Sequence, residues 1–119
     1  MAKDIVIEFK QPPREPDFSA EIYAIKTEDG GRLSPLFSGY RPDHDFGIEG
    51  MLNGGMHEYP ETGTIEIGET GKVNIWLLAP EYQENRLFSG MEFTAQEGAR
   101  IVCKGKIINV INKKLQQSI

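Results

Sequence analysis

The chain has 119 residues, 39% of them hydrophobic and 26% charged, with thirteen glycines, seven prolines and a net charge of −5. That length supports one domain over residues 1–119, with a core that needs neither disulfides nor metal. The single cysteine, Cys103, excludes an internal disulfide and fits a cytoplasmic compartment. The acidic balance disfavours polyphosphate except at a local basic patch. No apolar run approaches membrane-spanning length, and Met1-Ala2-Lys3 runs straight into a strand pattern, so neither a membrane span nor a signal peptide is expected.

Taken in order, residues 4–9 alternate, with Ile5, Ile7 and Phe9 on one face, until Pro12, Pro13 and Pro16 break the ladder. A second strand is expected over 18–26, with Phe18, Ala20, Ile22 and Ala24 on one side and Ser19, Glu21, Tyr23 and Ile25 on the other. The stretch 29–42 follows, in which Gly30, Gly31 and Gly39 favour tight turns and Pro35 and Pro42 enforce extended backbone. Its arginines, with Phe37 and Tyr40, suit a connection packed over a β-barrel better than a free linker. Residues 44–50 make a weaker strand, with only Phe46 and Ile48 as an apolar pair. From Gly50 to Gly63 the pattern is least regular: Asn53-Gly54-Gly55 and Tyr59-Pro60-Glu61-Thr62-Gly63 both signal turns.

Strands resume over 64–68 and 72–78, the latter with Val73, Ile75 and Leu77 on one face and Trp76 and Leu78 on the other. Apolar groups on both faces imply that the outer one also meets a neighbour. Pro80 ends that strand, and 81–86 reads as a loop or a single helical turn. Residues 90–96 alternate through Met91, Phe93 and Ala95, and Glu97-Gly98-Ala99 turns a hairpin into 100–111, with Gly105 marking a bend or bulge. Residues 112–119 read as a frayed tail. Six or seven strands with no clear helix predict an all-β closed barrel or sandwich.

Residues 18–46, with Ile22-Tyr23, Glu28-Asp29-Gly30-Gly31-Arg32, Pro35, Phe37 and Gly39-Tyr40-Arg41-Pro42, resemble the third domain of elongation factor Tu. The resemblance continues through Glu69-Thr70-Gly71-Lys72-Val73, Leu77-Leu78-Ala79-Pro80, Leu87-Phe88, Phe93 to Arg100 and Gly105 to Ile111, and so covers about 18–111. It implies a six-stranded antiparallel Greek-key β-barrel in a freestanding domain. The family's nucleotide is held elsewhere by a G-x-x-x-x-G-K-[ST] loop that this chain lacks, so no nucleotide, no other cofactor and no GTPase activity are expected. What remains by that resemblance is non-catalytic, translation-related docking of a protein partner through Arg32, Tyr40, Arg41, Glu97, Gly98 and Arg100. Binding of tRNA by the same end is disfavoured. The position after Arg41-Pro42 is the anion Asp43, and Ala79 stands where the family commonly has a base, which costs about 1–3 kcal/mol per phosphate contact.

The residues themselves leave two accounts of the arginines at 32, 41 and 100. Either they tie loops to carboxylates and carbonyls, or they form a partner surface. His44 and His57, among Asp43, Asp45, Glu49 and Glu58, raise a metal or small-molecule site, but match no metal template and read as solvated loop residues with no metal. Cys103 reads as a buried thiol, not a nucleophile. Serines 19, 34, 38 and 89 lack a recognisable histidine–acid partner, and Glu81 and Glu84 read as a wet loop, so no catalytic residue is expected.

Overall fold

Alternation places the first barrel strand. In the computed structural model, which describes residues 9–118, β1 (Phe18–Ala24) points Phe18, Ala20, Ile22 and Ala24 inward, all with no exposed surface. The remaining strands are β2 (Leu36–Phe37), β3 (Asp43–Asp45), β4 (Asn53–Glu58), β5 (Thr64–Ile65), β6 (Thr70–Leu77), β7 (Glu92–Glu97) and β8 (Arg100–Val110). Short 3-10 turns occupy Thr27–Asp29, Pro80–Gln83 and Lys113–Leu115. Six strands close antiparallel in the order β1-β6-β4-β3-β7-β8, and β8 returns to β1. The run β1-β6-β4-β3 is a Greek key: three successive strands lie side by side and β1 lies beside the last of them. β2 and β5 pair only with each other, making a two-stranded flap beside the barrel ladder, with Leu36 and Ile65 buried in the core cluster. Among the described residues no helix is long and apolar enough to cross a membrane.

Closure puts one face of every barrel strand into a single core. Phe18, Phe46 and Phe93 meet at its centre with ring centroids 5.6–5.9 Å apart. Each fully buried side chain of this size stabilises the fold by roughly 1.5–3 kcal/mol. On β6, Val73, Ile75 and Leu77 join this core, while Trp76 points outward yet is only 2% exposed. Its outer face meets the Phe9 ring, 6.1 Å away edge-on, and its indole N–H donates to the Arg14 carbonyl at 2.8 Å. The strand expected over 4–9 lies, apart from Phe9, outside the described residues.

Several elements differ from the sequence expectations. Asn53-Gly54-Gly55 is not a turn but the start of β4, hydrogen-bonded between β3 and β6. The glycine at 55 serves close approach: a Cβ there would lie 2.9 Å from His44 Cε1 and 3.2 Å from Leu77 Cδ2. Gly105 is not a bulge either. It lies opposite Phe93, whose ring would be 2.4 Å from an added Cβ. The bulges of β8 fall at Val102 and Ile108, where its register on β7 and on β1 shifts. Pairing over 44–50 is limited to β3, and of 64–68 only β5 is strand, on the flap.

The tail is not frayed. Leu115 is 1% exposed, its carbonyl accepts from the Arg86 and Leu87 amides, and the Gln117 amide donates to Leu87 O. Near the other end, buried Asp17 acts as a clasp. Its carboxylate accepts from Arg14, the Leu77 amide and Asn112 Nδ2, while its carbonyl accepts from the Ile111 and Asn112 amides.

Candidate functional site

The long connection between β1 and β3 lays its side chains against the β7–β8 hairpin. Arg32 leaves the 3-10 turn with its carbonyl held by the Thr27 hydroxyl. Its guanidinium carbon then stands 4.6 Å from the centre of the Tyr40 ring, and Nε lies 3.4 Å from Glu97 Oε1. The Tyr40 hydroxyl donates to that same oxygen at 2.9 Å. Burial, and then the Glu97 carboxylate, push the Tyr40 phenol well above its ordinary range, so it remains a donor. An exposed ion pair is worth about 0.2–1 kcal/mol and an exposed cation–π contact about 0.5–1 kcal/mol, so this set orders the loop more than it stabilises the barrel.

The other three expected residues lie at the same end. Gly98 turns the hairpin tip with a φ of +56°, and its carbonyl accepts from Gln96 Nε2. Arg100 is the cross-strand partner of Glu97. Asp43 pairs with Gln96, so Arg41, two residues upstream, runs out beside the tip. Arg41 and Arg100 are exposed, and among the described residues neither makes an ion pair. Thus Arg32 ties a loop to a carboxylate, whereas Arg41 and Arg100 do not. Leu33 is 86% exposed and Phe37 58% exposed on the same connection.

Behind this surface lies a group that the sequence reading misplaced. His44 and His57 are not solvated loop residues: both are completely buried inside the barrel. Their Nε2 atoms are 2.8 Å apart. His44 Nδ1 lies 2.8 Å from the Asn53 carbonyl and His57 Nδ1 lies 2.8 Å from the Tyr59 hydroxyl. The partners dictate where the protons sit. A carbonyl only accepts, so His44 carries its proton on Nδ1 and accepts at Nε2. His57 must therefore donate from Nε2, and it accepts from the Tyr59 O–H at Nδ1. Both rings are neutral and every polar atom of the chain is satisfied. Burial lowers His44 to about 4 and His57 well below the usual imidazole value.

The chain continues outward at one end, where the Asn53 side-chain oxygen accepts from Gln83 Nε2, and Gln83 Oε1 accepts from Arg86. At the other, Tyr40 stands edge-on to His57, centroids 5.8 Å apart at 88°. The imidazole nitrogens are spent on fixed protein partners, so the reason to expect a small-molecule pocket around them is gone. Among the described residues no group of three or more His, Cys, Asp or Glu side chains is placed to hold a metal ion. Cys103 is fully buried and its thiol is pushed up to about 12, chiefly by burial, which keeps it protonated. Ser38 Oγ accepts from the Tyr59 amide, Ser34 Oγ from Arg32, and Ser89 Oγ donates to a carbonyl.

Asn53 and Tyr59 read in the sequence only as turn residues and Gln83 only as part of a loop, so none of the three is expected at a site. One signal was available: His44 shares strand parity with Phe46, and His57 with Tyr59, so each histidine falls on an inward position. No family model matches the chain.

Proposed function

We propose that this chain is a non-catalytic protein-interaction module of the cytoplasm, a freestanding barrel that resembles the third domain of elongation factor Tu and lacks its nucleotide engine. The docking end carries Arg32, Tyr40, Arg41, Glu97, Gly98 and Arg100. The observation that carries the reading is the contrast within that end: Arg32, Tyr40 and Glu97 hold one another in place, while Arg41 and Arg100 stand uncommitted beside them. Exposed Leu33 and Phe37 add apolar surface to the same connection, as protein interfaces require. The partner class suggested by the resemblance is a nucleotide-binding translation factor, or a protein that targets elongation factor Tu.

The test is paired capture from source lysate with the wild-type chain and with Arg41→Glu/Arg100→Glu. A specific protein retained by the first and lost at least about tenfold by the second is expected, since two charge reversals at a contact cost more than one factor of ten. Equal capture by both would sink the docking end. Salt-dependent retention of tRNA on filters at micromolar protein, abolished by the same reversals, would instead assign the arginines to nucleic acid.

A further inference from the structure

The flap of β2 and β5 is fastened to the barrel at the Tyr59 end of the buried chain. The Gly39 amide donates to His57 O, the His57 amide to Tyr40 O, the Ser38 amide to Gly63 O, and the Tyr59 amide to Ser38 Oγ. Tyr59 also opens the turn into β5, since the Gly63 amide donates to its carbonyl. The side chain that completes the histidine chain therefore belongs to the segment that carries the flap.

An added proton disturbs this arrangement along its whole length. If His44 gains a proton at Nε2, it donates to His57 Nε2, and His57 must move its own proton to Nδ1. That nitrogen then donates to the Tyr59 oxygen, and the Tyr59 O–H is left without an acceptor in a residue only 2% exposed. The new charge also has little to answer it. Asp43, exposed on β3 itself, is the carboxylate that His44 senses, and Glu58 on β4 is bound to Asn74. From β8 comes only the protonated Cys103 thiol, and from β6 and β7 come Ile75, Leu77 and Phe93. Arg32 and Glu97 lie beyond Tyr40 and are paired with each other.

We propose that the Tyr59–His57–His44–Asn53 chain is an acid-sensitive latch that holds the β2–β5 flap, and the Tyr40 face beside it, on the barrel. Protonation is relieved by turning Tyr59 and the flap away, which frees an imidazole to hold its charge in water. With the closed-state His44 at about 4 and an ordinary histidine at 6.5, one freed imidazole at pH 5.0 favours the open form by about 30-fold.

Hydrogen–deuterium exchange of the whole chain at pH 7.5 and 5.0, corrected for intrinsic rates, reads this directly. Peptides spanning 36–41 and 59–65 should lose protection by about 30-fold at the lower pH and, exchanging by an opening smaller than global unfolding, should be less protected than β1 and β6 at both pH values. In the double variant His44→Gln/His57→Gln, which has no imidazole in the chain to take a proton, the difference should vanish. Nitrogen-15 spectra of the wild-type imidazoles at pH 7.5 should show opposite tautomers, with the proton on Nδ1 of His44 and on Nε2 of His57. Flap protection unchanged between the two pH values, or equal to that of β1 at both, or two imidazoles in the same tautomer, would overturn the latch. The exchange and spectra decide it even if the glutamine variant fails to fold, and neither readout involves a partner.

Discussion

Two hydrogen-bonded sets stand back to back across Tyr40 and differ mainly in their access to water. The outer one, Arg32–Tyr40–Glu97, contains a full ion pair, yet Glu97 remains 46% exposed, so water competes for each of its bonds. The inner one, Asn53–His44–His57–Tyr59, is uncharged and dry. Formal charge would rank the outer set higher. Desolvation reverses the order, because a buried donor or acceptor that loses its partner has no water to replace it. Conserving stability and presenting a surface are thus separated by a few ångströms of barrel wall.

The sharpest break in that comparison is His57→Ala, which orphans the Tyr59 hydroxyl and His44 Nε2 and opens a cavity. It should cost about 3–5 kcal/mol of unfolding free energy in urea titrations, by analogy with other buried truncations and lost buried partners. Acid comes next. His44 is lowered to about 4 when folded, so the unfolded chain binds its proton first as pH falls below 6.5. Stability is therefore complete above about pH 6.5 and declines toward pH 4, by about 2 kcal/mol for His44 between pH 7 and 5, and His57, lowered in the same direction, adds to the loss. Urea midpoints at the two pH values measure it, and an unchanged midpoint would mean that the pair is solvated.

Gly55→Ala sharpens the same inner set without touching its polar atoms, since the methyl would press on the His44 ring, which its two hydrogen bonds prevent from moving aside. A loss of about 1–3 kcal/mol is expected in thermal melts, as for other overpacked cores. Tyr40→Phe on the outer set removes one exposed hydrogen bond to Glu97 and should lower stability in thermal melts by less than about 1 kcal/mol. A larger loss of stability from Tyr40→Phe than from His57→Ala would invert the comparison.

Much of the barrel is legible from alternation. Phe18 to Ala24, Val73 to Leu77 and Phe93 to Ala95 point inward as their spacing requires, and the Glu97-Gly98-Ala99 turn lies at the expected hairpin. Asn53-Gly54-Gly55 defeats the same reading because glycine has two uses, bending a chain and admitting a neighbour. Only the position of His44 reveals which applies. The histidines misled for a related reason: a polar ring is inward-facing only if its nitrogens find partners, and those partners come from distant segments. The C-terminal stretch carries one decisive apolar residue, Leu115, and its anchorage depends on backbone bonds to Leu87 that no periodicity records. Of the outer set, Arg32, Tyr40 and Glu97 all follow from the resemblance, but the Glu97 oxygen they share is a matter of loop geometry.

The Asp17 clasp has a mechanical consequence. A load applied through residues 13 and 113 would reach Arg14, Asp17 and Asn112 before any ladder of the barrel, because those side chains bridge both flanks to the Leu77 amide. A tether that enters at residue 13 therefore pulls first on one carboxylate, whereas one fused to the C-terminus pulls first on the Leu115 and Gln117 bonds to Leu87.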